Sequence, residues 1–304
     1  NQKLKSTFSH ASITEQGPIR ATVSAKQYLF FASGTESKHD LEFSLVAGEP
    51  ILRISVSGSA NAATSVFATF KFANTTSFMG HGTPLHWDMK EAWPYGQGTS
   101  FNAVMHATHN YVVAYDKQKK PLGAIYHGGI PAWGVNVVDG NLYGNLMRNN
   151  PNSYCDGKGA NGGDFDNHTL TYALRIPSSL PSMESGQLLV ESKSYHTPLI
   201  GLHSNGSTTS TKLPEVFSLV TVEKPAMVTA VKEGSDKSKS IIRLYQPTNK
   251  PVKVHVDLNP YLWPSKTTQV YLVSAVERPF KNTGVQIINT NVTMQYSLAT
   301  LMLE

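Results

Sequence analysis

Lys253-Val-His-Val-Asp-Leu258, Gln269-Val-Tyr-Leu-Val273, Val285-Gln-Ile-Ile288 and Met294-Gln-Tyr-Ser-Leu298 succeed one another late in the chain, with no segment of helical period between them. Apolar and polar residues alternate with a period of two, so one face of each strand is buried and the other wet. That is the signature of an antiparallel sandwich, since parallel strands, covered on both faces, read as unbroken apolar runs. The same grammar runs back toward Asn1. Ile19-Arg-Ala-Thr-Val23, Leu41-Glu-Phe-Ser-Leu45 and Ile51-Leu-Arg-Ile-Ser-Val56 are each bounded by Gly, Pro or Ser clusters. Tyr111–Tyr115, Leu122–Tyr126 and Leu170–Leu174 continue the series. The expected fold is all-β and antiparallel, a scaffold that without a catalytic cluster binds, positions or supports rather than reacts.

A chain of 304 residues buries roughly three quarters of its unfolded surface, enough for one large or two moderate domains. Hydrophobic residues at 40% and charged residues at 15% describe a globular protein rather than a disordered one. The net charge of +5 is small and scattered. The two basic runs, Lys117-Gln-Lys-Lys120 and Lys237-Ser-Lys239, carry no interleaved aromatics and sit in turn-like contexts, so no nucleic-acid partner is expected. No stretch approaches the ~20 apolar residues of a membrane span, and no membrane partner is expected either. Sequons at Asn74, Asn167, Asn205 and Asn291 permit secretion and favour a secreted or periplasmic location. A start at Asn1 rather than Met fits a processed or excised chain.

Between Phe78 and Phe101 the pattern changes to what reads as a long polar-aromatic loop, Gly80-His-Gly-Thr-Pro-Leu-His-Trp-Asp88 followed by Glu91-Ala-Trp-Pro-Tyr-Gly96. A second loop rich in Gly, Asn and Asp runs from Asn149 to Asn167. The polar stretch Ser204-Asn-Gly-Ser-Thr-Thr-Ser-Thr211, followed by Pro214, is the best linker. The domain boundary is accordingly expected near residue 210, with domains at 1–210 and 211–304.

Most of the candidate chemistry yields to plainer readings. Cys155 is the only cysteine, so it makes neither an intrachain disulfide nor a thiolate zinc site. Gly157-Lys-Gly-Ala-Asn-Gly162 has dinucleotide-binding spacing, but no helix follows whose N-terminus could hold a pyrophosphate. Asp156, Asp164 and Asp166 lack the alternating ligands of a calcium loop. His106 and His109, three apart, point to opposite faces of a strand, and His86 with Asp88 needs a further ligand to hold zinc. The aromatic density is more informative. Sugars offer apolar C–H faces to flat rings and hydroxyls to polar neighbours, which makes the loop-borne Trp87, Trp93 and Tyr95 candidate carbohydrate contacts.

Six segments, in order, resemble the C-terminal β-region of glycoside hydrolase family 38, the zinc-dependent α-mannosidases. They are Leu122-Gly-Ala-Ile-Tyr-His-Gly-Gly-Ile-Pro131, Asp139-Gly-Asn-Leu-Tyr-Gly-Asn-Leu-Met-Arg148, Thr171-Tyr-Ala-Leu174, Ala230–Gly234 with Ile242-Arg-Leu-Tyr245, Val276-Glu-Arg-Pro279, and Leu298-Ala-Thr-Leu301. The resemblance implies a large mutarotase-like antiparallel supersandwich followed by a smaller β-sandwich. It also implies a role beside a catalytic barrel that carries the zinc, the carboxylate nucleophile and a His-His-Asp motif. This chain has no His-His pair. No catalytic residue, metal ligand or cofactor is therefore assigned to it; by the resemblance zinc is expected in a catalytic domain that this sequence does not contain, and the chain alone is expected to be inactive. By the same resemblance Arg148, with the Asn149–Asp156 loop including Asp156, is the expected substrate-facing edge for an α-mannoside bound with the barrel.

Two other readings stay open from the residues. One is a free-standing carbohydrate-binding protein. The other is an enzyme of the mutarotase or polysaccharide-lyase kind, with His86, His109 or His127 as acid and Asp88 or Glu91 as base.

Overall fold

The computed structural model describes residues 5–30, 36–60, 64–84, 86–93, 104–149, 166–175, 180–197, 216–248, 250–263, 270–278, 291–294 and 298–303. The chain divides into two compact units, Asn1–Leu180 and Pro181–Glu304. The linker stretch at residues 204–211 lies outside the described residues.

In chain order the first unit carries β1 (Lys5–Phe8), β2 (Ser12–Gln16), β3 (Arg20–Phe30), β4 (Glu36–Val46), β5 (Ile51–Gly58), β6 (Thr64–Phe70) and β7 (Phe78–Gly82). It continues with β8 (Trp87–Glu91), β9 (His106–Ala107), β10 (Tyr111–Tyr115), β11 (Pro121–His127), β12 (Ala132–Val135), β13 (Leu142–Asn149) and β14 (His168–Arg175). Among the described residues these form a ten-stranded sheet, β1-β3-β4-β5-β14-β11-β10-β7-β8 with β2 also on β3, and a four-stranded sheet, β6-β13-β12-β9. Every pairing is antiparallel.

Burial explains the pattern. On β5 Ile54 and Val56 are buried, while Ser55 and Ser57 between and beyond them are half-buried. On β10, between β11 and β7 in the wide sheet, Tyr111–Tyr115 is buried at every position, as its unbroken apolar run requires. The β10–β11 turn is organised by Asp116, whose Oδ1 accepts from the backbone N–H groups of Gln118 and Lys120 at 3.0 and 2.8 Å. The basic run 117–120 is thus a turn, with Lys119 in the left-handed region at φ 60°.

Between the two sheets lies one core, with Ile54, Val112 and Ile125 on one side and Val66, Trp133 and Leu142 on the other. Trp133 is fully buried. Its indole N–H donates to the Ile130 carbonyl at 2.8 Å, and its ring meets Phe70 at 6.1 Å and His127 at 5.4 Å between centroids. Gly144, paired with Trp133 across β12–β13, leaves room for that ring. A Cβ at 144 would stand 2.5 Å from it.

The second unit opens with a 3-10 turn, Met183–Ser185, and α1 (Gln187–His196). Its strands are β15 (Val220–Val222), β16 (Met227–Glu233), β17 (Ser240–Tyr245), β18 (Val252–Leu258), β19 (Val270–Val273), β20 (Asn291–Met294) and β21 (Leu298–Leu303). They make sheets β15-β18-β20 and β16-β17-β21-β19, which share a core containing Ile242, Leu244, Val254, Val256, Val292 and Leu301. Ile241–Tyr245 pairs only within this unit.

Glu277 ties the ends of this sandwich together. Its side chain, 9% exposed, pairs with Lys232 on β16 and with Arg243 on β17 at 3.7 Å, and accepts from the Ser235 N–H at 2.9 Å. The hydrogen bond from Lys232, then that from Ser235, holds its carboxyl below the ordinary range.

Three sequence expectations change. The stretch read as a loop from Phe78 to Phe101 begins with the β7–β8 hairpin. Its alternation is hidden because β7 is buried at nearly every position and carries two glycines. Met294–Leu298, read as one strand, contains the end of β20 and the start of β21. The helix α1 has no anticipated counterpart: its polar residues mask a short apolar pair, the buried Leu188 and Leu189. Val285–Ile288 lies outside the described residues.

Gly144→Ala tests the central packing. The Trp133 ring has no free space to move into, so overpacking is expected to cost about 2 kcal/mol. Urea unfolding should show a lowered midpoint, whereas Gly17→Ala, whose nearest heavy atom would be 3.5 Å away, should leave it unchanged.

Candidate functional site at the edge hairpin

The polar-aromatic stretch is folded onto the edge of the first unit by β7, β8 and β9. Register pairs Gly82 with Trp87, His81 with Asp88 and Met79 with Lys90. Cross-strand partners share a face. His81, Asp88 and Lys90 therefore lie on the side that sends Met79 into the core, and Trp87 and Met89 lie on the other. The hairpin closes at Thr83, whose N–H and hydroxyl both donate to the His86 carbonyl at 2.7 Å. Gly82 admits a close backbone approach: the His109 N–H donates to its carbonyl at 2.8 Å, and a Cβ there would meet the His109 oxygen at 2.4 Å.

From the four-stranded sheet, His106 stacks on His81, with centroids 6.0 Å apart and planes at 18°. His81 is 4% exposed. Burial, above all, pushes both imidazoles below their ordinary pKa, and Lys90 adds to this at His106. Asp88 is held low, chiefly by its hydrogen bond with Lys90 at 2.5 Å. The cluster at neutral pH is two neutral imidazoles beside a carboxylate–ammonium pair.

Its hydrogen-bonding capacity is incompletely used. His81 Nε2, His86 Nδ1 and Trp87 Nε1 are buried without partners. Each such atom costs roughly 1–3 kcal/mol. Trp93 projects from the end of β8, 67% exposed, beside a shallow crevice bordered by Lys90, Glu91 and His106.

The sequence-derived candidates separate in space. Trp87 and Trp93 share this edge, whereas Arg148 stands on β13 of the four-stranded sheet. Strict alternation from the buried Leu142 and Gly144 would turn position 148 inward. A bulge between Asn145 and Met147 shifts the register, so Met147 is buried and Arg148 exposed. Arg148 has no ion-pair partner among the described residues. Asp139 accepts from the Tyr143 hydroxyl at 2.6 Å and the Asn141 N–H at 2.9 Å. Tyr95, Asp156, Cys155 and the 157–162 glycines lie outside the described residues.

Sequence reasoning did not foresee the pairing of His81 with His106. The available signal was the Thr83-Pro84 turn with a Gly-His-Gly run before it and Trp-Asp-Met-Lys after it. His127 belongs to the core: it is 1% exposed, stacked on Trp133, and bonded through Nε2 to the Thr108 hydroxyl at 2.9 Å. Among the described residues no three His, Cys, Asp or Glu side chains converge to hold a metal ion. The carboxyls with displaced pKa values, Glu15, Asp88, Asp236 and Glu277, are all lowered. A general acid needs the opposite shift; these four are hydrogen-bond acceptors. No described helix is long and apolar enough to cross a membrane.

The buried imidazoles make stability acid-sensitive. His39, His81 and His106 all have folded pKa values lowered mainly by burial. The unfolded chain, titrating near 6.5, binds their protons first. Their contribution is complete above that value and is lost as pH falls through about 6.5 toward the folded values. Melting temperature should fall between about pH 8 and about pH 5. His81→Phe keeps a flat ring on His106 and removes the unpaired Nε2; it should stabilise by about 1 kcal/mol at neutral pH and flatten the acid slope. A destabilised variant with an unchanged slope would contradict this.

No family model matches the sequence, and no curated protein matches it. Similarity appears at the level of fold. A protein of glycosyl hydrolase family 38 from Enterococcus faecalis superposes with a TM-score of 0.73 at 13% identity, over 100% of this chain and 37% of its own. An alpha-mannosidase from Enterococcus faecalis V583 does so with a TM-score of 0.72 at 14% identity, over 100% of this chain and 35% of its own. The chain thus spans little more than a third of the structures it resembles and has the fold of that part of them.

Proposed function

We propose that this chain is a non-catalytic β-region of an α-mannosidase-like retaining glycosidase, which supports a zinc-containing catalytic barrel and lends loops to the edge of its mannoside site. The observation that carries this reading is the fold likeness: the whole chain, both sandwiches included, corresponds to a part of two such proteins and to little more than a third of their length. The ordered motifs from Leu122 to Leu301 point the same way.

In a retaining glycosidase one carboxylate attacks the anomeric carbon while another donates and then accepts a proton. Zinc would orient and polarise the sugar hydroxyls. The described residues do not fit such an ion: Asp88 is occupied by Lys90, and no third donor joins His81 and His106. In this reading those steps belong to the barrel. What the chain supplies is binding: the exposed Arg148 guanidinium as a donor to sugar oxygens, the Trp93 ring as a stacking surface, and the edge hairpin with its unpaired His81, His86 and Trp87 atoms as the surface that meets the barrel or substrate. Tyr95 and Asp156 join this set by sequence position.

Two measurements test the reading. Purified residues 1–304 should not cleave an aryl α-mannoside with or without added zinc; zinc-dependent turnover that survives repurification would overturn it. In an enzyme containing both this chain and a barrel, Arg148→Ala should lower kcat/KM about tenfold, or ~1.4 kcal/mol of transition-state stabilisation. Unchanged kinetics with a lowered melting temperature would instead make Arg148 a structural residue.

A further inference from the structure

The outer face of β2–β5 lies opposite the side that carries Phe43, Ile54 and Val56 into the core. Register sets two rows of polar side chains across it. The first is Ser12–Ser24–Glu42–Ser55, continued by Thr171 on β14. The second is Lys26–Asp40–Ser57, continued by Thr169. Within a row neighbours are about 4.8 Å apart, and the rows are about 6.8 Å apart along the strands.

A wet polar face is ordinary for an antiparallel sheet. This one differs in being walled. The segment joining β1 to β2 folds along it and is fixed by the Ser9 N–H donating to the Lys26 carbonyl at 2.8 Å and the Lys26 N–H donating to the Ser9 hydroxyl at 2.9 Å. The result is a cleft of about 520 Å3 lined by both rows. That volume is in the range of small-ligand sites.

We infer that this cleft binds a neutral saccharide, held by Glu42 between the Ser24 and Ser55 hydroxyls, with Asp40 and Lys26 beside it. Among the described residues Glu42 makes no hydrogen bond or ion pair, and the Ser12 and Ser55 hydroxyls make no hydrogen bond. Lys26 and Asp40 face each other at 3.6 Å and largely offset one another, which leaves Glu42, whose charge reaches Arg20 on β3 without pairing with it, as the cleft's unpaired carboxylate. An anion is therefore repelled. A simple cation would gain only one solvent-exposed ion pair, which water and salt screen. A carboxylate flanked by hydroxyls can accept from two neighbouring sugar hydroxyls, while the serines both donate and accept. Among the residues that line the cleft His10 carries the one ring and no Trp, Tyr or Phe is present, so affinity rests mainly on hydrogen bonds that compete with water, and a Kd of about 1 mM is expected. The inference is independent of the proposed function, since it holds with or without a catalytic partner.

Calorimetric or ligand-observed NMR titration of residues 1–304 with α-mannobiose and with lactose tests it. Saturable binding of either disaccharide is expected, with glucuronate at least tenfold weaker. Glu42→Ala and Ser55→Ala, both at solvent-facing positions, should each keep the melting temperature and together weaken binding at least tenfold. Absence of saturation with both disaccharides up to about 20 mM, or binding that survives the double substitution, would overturn the proposal. So would binding abolished by Trp93→Ala, which would move the sugar to the edge hairpin. None of these outcomes touches the glycosidase reading, which stands or falls on the aryl mannoside and Arg148 measurements.

Discussion

A four-stranded sheet cannot cover a ten-stranded one, and much of the first unit follows from that mismatch. The covered strands, β5, β14, β11, β10 and β7, supply the core against which Trp133 is set. There the indole N–H has its carbonyl, and Gly144 yields the volume that the ring occupies. Beyond the cover, the same inner face continues through β4, β3 and β2 with Leu45 at 50% and Ile13 at 65% exposure.

That division separates two kinds of surface. At the β8 end the sheets close on a stacked histidine pair, where burial keeps imidazoles neutral and leaves polar atoms unpaired. At the β2 end the outer face is open, hydroxylated and walled by the segment after β1. The first surface has polar groups that the described protein does not satisfy; the second has charge and hydroxyls arranged by register. At the β8 end Lys90 holds Asp88 in its ionised form, as a hydrogen-bond acceptor.

In the second unit the motifs that suggested a family turn out to meet physically. Lys232 from Ala230–Gly234, Arg243 from Ile242–Tyr245 and Glu277 from Val276–Pro279 form one charge cluster joining the β16–β17 hairpin to the turn after β19. Such a carboxylate, largely buried, is tolerated only with its partners in place. These residues therefore read as architecture rather than as a site.

Period-two alternation was enough to specify an all-β antiparallel chain, because which face of a strand is buried is written in neighbouring residues. It also located β5, β10, β11, β14 and β18 closely, but it read Trp87, which stands half-buried on β8, as part of a loop. It could not give the β7–β8 hairpin, where burial on both sides and two glycines erase the alternation. Nor could it give the β13 bulge, which turns Arg148 outward by inserting one residue whose effect depends on the partner strand. The His81–His106 stack and the Ser12–Ser24–Glu42–Ser55 row are likewise invisible along the chain, since their members are brought together only by register between strands distant in sequence. Local pattern determined the strands; long-range pairing decided which side chains meet.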